Sequence, residues 1–115
     1  MGRLRLNVSV IHKKPIDDKL VLTNEFHHSL DILEGQPHKI VTQNGMSFVL
    51  NVRTYDVEKS GKLIEINTKI LMLTPANLKT ISEMKVLTTL NKEAALETRD
   101  SEGSIVDILM IPLDN

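Results

Sequence analysis

The sequence predicts an all-β fold, a single-domain antiparallel β-sandwich or small barrel of about seven to nine strands over residues 1–115. Three observations carry this expectation. Apolar and polar side chains alternate with a period of two over most of the chain, the mark of extended strands with one buried face. Polar turn signals recur about every 8–12 residues between those runs. The composition, 41% hydrophobic and 25% charged, belongs to an ordinary globular domain. A chain of this size buries roughly two-thirds of its unfolded surface and needs no staple.

The elements follow in order. In residues 3–10, Leu4, Leu6, Val8 and Val10 point one way while Arg3, Arg5, Asn7 and Ser9 point the other. Lys13-Lys14-Pro15 and Asp17-Asp18 then read as a polar connection, since Pro15 cannot donate to a ladder. Residues 20–23 and 26–33 read as two short strands or one bent one. Gly35-Gln36-Pro37 marks a turn, 38–42 a strand, and Asn44-Gly45 a two-residue hairpin, because both residues tolerate positive φ. Residues 46–55 and 63–72 alternate throughout and flank a Glu58-Lys59-Ser60-Gly61 turn. Their apolar sets must share a face, which restricts the register. Pairing Val52 with Ile66 and Leu50 with Thr68 also sets Arg53 opposite Glu65.

Residues 74–98 admit two readings. Thr74-Pro75 resembles a helix start, and Leu78, Ile81, Met84, Leu87 and Leu90 recur every three residues. At about 100° per residue such a repeat drifts around the axis rather than forming a stripe. Met84, Val86, Thr88 and Leu90 alternate cleanly with their neighbours, so the expectation is a short loop or helical turn over 75–82 and a strand over 84–90. Asn91-Lys92 makes a turn, 94–98 a strand, and Asp100-Ser101-Glu102-Gly103 a turn. The final strand, 105–111, is apolar on both faces, as expected of a strand central in a sheet or covered by another layer. Val21-Leu22-Thr23 with Ser29-Leu30 also echoes Val86-Leu87-Thr88 with Ala95-Leu96, as two matching pieces of a sandwich would.

Composition excludes several functions. The absence of cysteine removes thiolate metal sites, a cysteine nucleophile and dithiol redox chemistry. Fourteen basic and 15 acidic residues are mixed along the chain, and the aromatics are only Phe26, Phe48 and Tyr55. Nucleic-acid binding, which needs a basic face or stacking platforms, is therefore not expected. Neither is a transmembrane segment, because the apolar runs are too short. Arg3, Arg5 and Asn7 interrupt the opening apolar residues, which argues against a signal peptide there.

Two stretches resemble a pattern of bacterial secretins and related envelope β-domains, in which a hydrophobic-x-Thr strand, a polar turn and an Ala-x-hydrophobic strand follow one another. They are Val86-Leu87-Thr88-Thr89-Leu90-Asn91-Lys92-Glu93-Ala94-Ala95-Leu96 and, as a variant, Leu33-Glu34-Gly35-Gln36-Pro37-His38-Lys39-Ile40, about a sixth of the chain. The sequence carries no membrane-lip or ring-forming segment such as a secretin needs. The resemblance implies an extracytoplasmic, periplasmic β-module with a structural or docking role, and it transfers no catalytic residue.

Candidate chemistry is sparse. The histidines are His12, His27, His28 and His38, and a metal site would have to draw on His27, His28 or His38. Adjacent residues of a strand leave on opposite faces, so His27 and His28 cannot easily share one ion. Ser29 lacks the turn context of a nucleophile, and no glycine-rich loop precedes a helix to cradle phosphate. Asp107, alone among apolar neighbours, reads either as a buried acid with a raised pKa or as a carboxylate that lies at a sheet margin or pairs with a Lys or Arg. No enzyme activity and no cofactor are expected. The leading expectation is a non-enzymatic module with a protein partner or self-association, using Arg3 and Arg5 at a basic sheet margin and Ile105, Leu109 and Ile111 on the two-faced last strand. The alternative is a small-ligand or metal-binding domain built on the histidine-bearing strands. A cavity lined by those histidines would favour the alternative, and a filled interior with an exposed apolar strip would favour the first.

Overall fold

A computed structural model describes residues 3–41, 45–58, 61–73, 75–99 and 102–113. The eight strands are β1 (Arg3–Ile16), β2 (Lys19–Leu33), β3 (His38–Val41), β4 (Met46–Val57), β5 (Gly61–Leu73), β6 (Leu78–Thr88), β7 (Ala94–Arg99) and β8 (Ile105–Leu113). They form two four-stranded antiparallel sheets, the first in the order β2-β1-β8-β7 and the second in the order β3-β4-β5-β6. The result is a β-sandwich.

The alternation in β1 does what its pattern requires: Leu4, Leu6, Val8 and Val10 are buried between the sheets. The expected polar connection after residue 12 is much shorter. β1 runs on through Pro15 to Ile16, and only Asp17 and Asp18 turn, with φ of 50° and 64°. Two consecutive positive φ values match the twist of a tight hairpin, and Asp tolerates them better than most residues. Pro15 is accommodated because the β1–β8 pairing ends at Lys13–Ile105. The bent-strand reading of 20–33 holds: β2 is one strand, in which Thr23 is an extra residue between the pairs His12–Asn24 and Lys13–Leu22. Its Oγ1 donates to the His12 carbonyl at 3.1 Å.

The central hairpin has the expected register, with Val52 opposite Ile66, Leu50 opposite Thr68 and Arg53 opposite Glu65. Phe48, Leu50, Val52, Ile64, Ile66 and Ile70 are buried from this side, facing Leu6, Val8, Val10, Ile32, Ile108 and Met110 of the first sheet. Full burial of one such side chain contributes about 1.5–3 kcal/mol. Phe26 and Phe48, 5.8 Å apart between ring centroids, bridge the two sheets. Asn44, Lys59, Ser60, Thr74, Asp100 and Ser101, which belong to the expected turns and cap, lie outside the described residues. Gly45 has φ 76°, and its carbonyl accepts from the Leu73 N–H at 2.9 Å.

Of the short loop or helical turn expected over 75–82, the loop is there but covers only 75–77, and no helical turn forms. β6 begins at Leu78, paired with Leu73, and continues to Thr88. The misleading three-residue spacing has a physical cause. Ile70 pairs with Ser82 and Leu71 with Thr80, so Ile81 is an extra residue in a bulge. A bulge shifts the alternation by one, and Ile81 and Met84 therefore both pack against the core although three positions apart. β8, as its two apolar faces imply, is central, between β1 and β7.

The second half of the chain repeats the first. Reading the first sheet as β2-β1-β8-β7 and the second as β6-β5-β4-β3 matches every strand to a counterpart. Leu6 pairs with Leu30 and Pro112, and its counterpart Ile66 pairs with Val86 and Val52. His38 opposite Leu50 corresponds to Ala94 opposite Met110. The turns repeat as well. The Gly35 N–H donates to the Val52 carbonyl at 3.0 Å and that of Gln36 to Leu33 at 3.2 Å; Asn91 N–H donates to Pro112 at 2.7 Å and Lys92 N–H to Thr89 at 3.2 Å. The expected echo is thus corrected in register. Leu30, not Val21, is the counterpart of Val86.

Candidate functional site

The outer face of the first sheet gathers the residues singled out for interaction. Cross-strand partners share a face, so the pairs Arg5–Leu113, Asn7–Ile111, Ser9–Leu109, Ile11–Asp107 and Lys13–Ile105 place the odd-numbered residues of β1 and β8 together. Arg3, Arg5, Ile105, Leu109 and Ile111 all lie on it. Two expectations change, however. Arg5 does not lie on a sheet margin, because it pairs with β2 on one side and β8 on the other, and it stands 3.7 Å from Asp31 of β2. Ile105 is buried rather than presented.

The same face continues onto the β1–β2 hairpin at the end of β8 and past it. Leu22 pairs with Lys13 and Leu20 with Pro15, so both leucines share the outer side, each 51% exposed. An apolar diagonal therefore runs from Leu20 and Leu22 through Ile11 to Leu109, Ile111 and Leu113. Polar pairs flank it on both sides: His27 with Ser9 and Glu25, and Arg99 with Glu97 at 2.8 Å. The Arg99 guanidinium holds the Glu97 carboxyl below the usual range. Asp107 is half-buried on this face, opposite Ile11 and Glu97, and is not the enclosed acid considered above.

The histidines are dispersed. His27 is exposed on the outer face, with Nδ1 2.8 Å from Ser9 Oγ and Nε2 3.0 Å from Glu25 Oε1. His28 leaves on the other side and packs edge-on to Phe26 at 5.3 Å. His38 is half-buried on β3. Among the described residues no three His, Cys, Asp or Glu side chains stand close enough to hold a metal ion. His12 is buried and lines a hollow of about 20 Å³ with Ser104 and Arg99, room for about one water.

Around Glu65, for which the sequence offered only Arg53 as a neighbour, the structure builds a polar cluster. Glu65 is only 8% exposed although it points outward from the second sheet. Its Oε2 accepts from the Tyr55 hydroxyl at 2.7 Å, and its Oε1 from Asn67 Nδ2 at 3.2 Å and Lys85 Nζ at 3.2 Å. These contacts hold the Glu65 carboxyl below its ordinary value, the Tyr55 hydrogen bond first, and the same bond raises the Tyr55 phenol. The expected partner Arg53 is directly opposite, but Lys85 of β6 supplies the ion pair. The signal in the sequence was the register itself, which sets Asn67 beside Lys85 only once β6 is placed.

No helix among the described residues is long and apolar enough to cross a membrane. No family model matches the chain, and no curated protein and no solved structure matches it at a significant level.

Proposed function

We propose that this domain is a non-enzymatic protein–protein interaction or structural module that docks through the outer face of its first sheet. The observation that carries the reading is the apolar diagonal from Leu20 and Leu22 to Leu109 and Ile111, bordered by paired polar residues and covered by no other element among the described residues. An apolar centre with a polar rim is the anatomy of a binding surface. The secretin-like stretches extend the proposal to a periplasmic place in a bacterial envelope assembly. Against the alternative of a ligand or metal site built on the histidine-bearing strands stand the interior filled by Phe48, Ile66 and Met110 and the dispersal of His27, His28 and His38.

Photo-crosslinking residues placed at Leu22 and Leu109, with a third at the exposed Leu87 of the second sheet, test this in cells. Discrete adducts, with another protein or a second copy, are expected from the first two positions alone. Labelling from Leu87 equal to theirs, or none from Leu22 and Leu109, overturns it.

A further inference from the structure

The end of the sandwich beside the β2–β3 and β6–β7 turns holds a hollow of about 180 Å³. Leu4, Val52 and Ile64 make its floor, and Leu90 and Glu34 line it. Leu4 and Ile64 are counterparts in the repeat, and so are Glu34 and Leu90. The hollow is therefore built from both halves. At this place the repeat changes chemistry, with a carboxylate from one half where the other offers an isobutyl group.

That carboxylate is held in position. Glu34 Oε1 accepts from the Thr54 backbone N–H at 2.6 Å and from Thr54 Oγ1 at 2.9 Å, while Oε2 enters no hydrogen bond among the described residues. The backbone bond above all keeps Glu34 below the usual carboxylate range, so it is ionised at neutral pH. Arg3 and Lys62 also line the hollow, and Lys62 and Leu90 continue into an adjoining open cleft with Lys92. One small site thus combines a fixed anion, an apolar floor and a cationic rim.

We propose that this hollow binds a free apolar α-amino acid, with its ammonium on Glu34 Oε2, its carboxylate on Lys62 and Arg3, and its aliphatic side chain on Leu4, Val52, Ile64 and Leu90. A simple carboxylate would leave Glu34 facing a second anion, and a simple amine would leave it facing two cations, so each lacks half of the complementarity. The volume suits a ligand of this size, being smaller than the roughly 300–1,000 Å³ of sites for drug-sized molecules.

Titration of the intact protein with L-leucine, 4-methylpentanoate and 3-methylbutylamine, followed by the methyl resonances of Ile64 and Leu90, tests the assignment. Saturable shifts with leucine are expected, at an affinity roughly tenfold or more above either analogue. Glu34→Gln, whose amide oxygen can still accept from Thr54, should abolish the preference for leucine over 4-methylpentanoate. Lys62→Gln should weaken both of those ligands and spare the amine. Absence of saturable shifts, equal affinity for the three probes, or unchanged leucine affinity in both variants overturns the proposal. If Glu34→Gln does not fold, the three-probe comparison on the unaltered protein and Lys62→Gln decide it.

Discussion

Tyr55 is the single tyrosine of the chain, so its bond to Glu65 can be read directly. The bond raises the Tyr55 pKa, and its stabilisation is complete below the unfolded value of about 10 and lost as pH rises through the folded one. For Glu65 the sign is opposite. Its folded value lies below the unfolded value of about 4.3, so the stabilisation is whole above that pH and drains as pH falls through the lowered folded value. Glu65→Gln is therefore expected to move the ultraviolet phenolate titration of Tyr55 back toward its ordinary range and to flatten the loss of thermal stability below about pH 4.3. A titration unmoved by the substitution would show that the two groups are not coupled. Asn91, with φ 64°, stands where its counterpart Gly35 has φ 82°. Left-handed backbone costs an ordinary L-residue about 1–2 kcal/mol, and Asn somewhat less. Asn91→Ala should therefore lower unfolding free energy by about 1 kcal/mol, while Asn91→Gly leaves it unchanged or higher; denaturant melts separate the two.

Every sheet has edges, and each element at an edge here has a device against continued pairing. β3 and β7 are short, at 4 and 6 residues. β2 and β6 are long, and each carries a bulge, at Thr23 and at Ile81. Short strands and bulges both deter edge-to-edge association. The end of the β1–β2 hairpin is different: Ile16, Leu20 and Val21 are exposed on a two-stranded ribbon beyond β8, and Leu22 is exposed at its base, opposite Lys13. Such a ribbon contributes little to folding on its own. Because Lys14 and Val21 are paired, residues 15–20 can be replaced by Asn-Gly to close the hairpin two pairs earlier, without Pro15–Leu20 and Ile16–Lys19. The shortened protein is expected to keep its circular dichroism spectrum and a melting temperature within a few degrees of the original. Adducts from a crosslinker at Leu22 should fall, because part of the diagonal is gone. A collapse of stability would show instead that the ribbon belongs to the core.

At the level of the molecule, the projecting hairpin and the flat sandwich make an elongated body of 50 × 28 × 21 Å, with a radius of gyration of 15.1 Å. A compact domain of this length has about 13 Å. The matching halves have a consequence for connectivity. Arg5 pairs with Leu113 in the middle of the first sheet, at the same end of the sandwich as the turn between Val57 and Gly61. A permuted chain that begins at Gly61, joins Leu113 to Arg3 through a short flexible linker and ends at Val57 retains all eight strands and all their pairings. It is expected to fold with native-like dispersion of its amide spectrum and to melt cooperatively. Failure to do so would mean that the two halves are not interchangeable in order.

The strand run from Met46 to Met72 was legible down to its register, because period-two alternation with one apolar side leaves a single way to bury both strands, and β8 was legible as central from its two apolar faces. The candidate interaction residues Leu109 and Ile111 were legible for the same reason, but their company was not. Alternation states which side a residue takes and says nothing about which strand lies beside it. Leu22 joins their face only through a bulge at Thr23, Ile81 looks helical only because a bulge restores it to the core, and Glu65 acquires Lys85 only when β6 is docked. The hollow that sets Glu34 against Leu90 depends on two turns 56 positions apart in the chain meeting at one end of the sandwich. Local chemistry specified the strands and their faces; contacts between distant segments, whose cost and reward depend on the whole packed fold, assembled the surfaces that those faces compose.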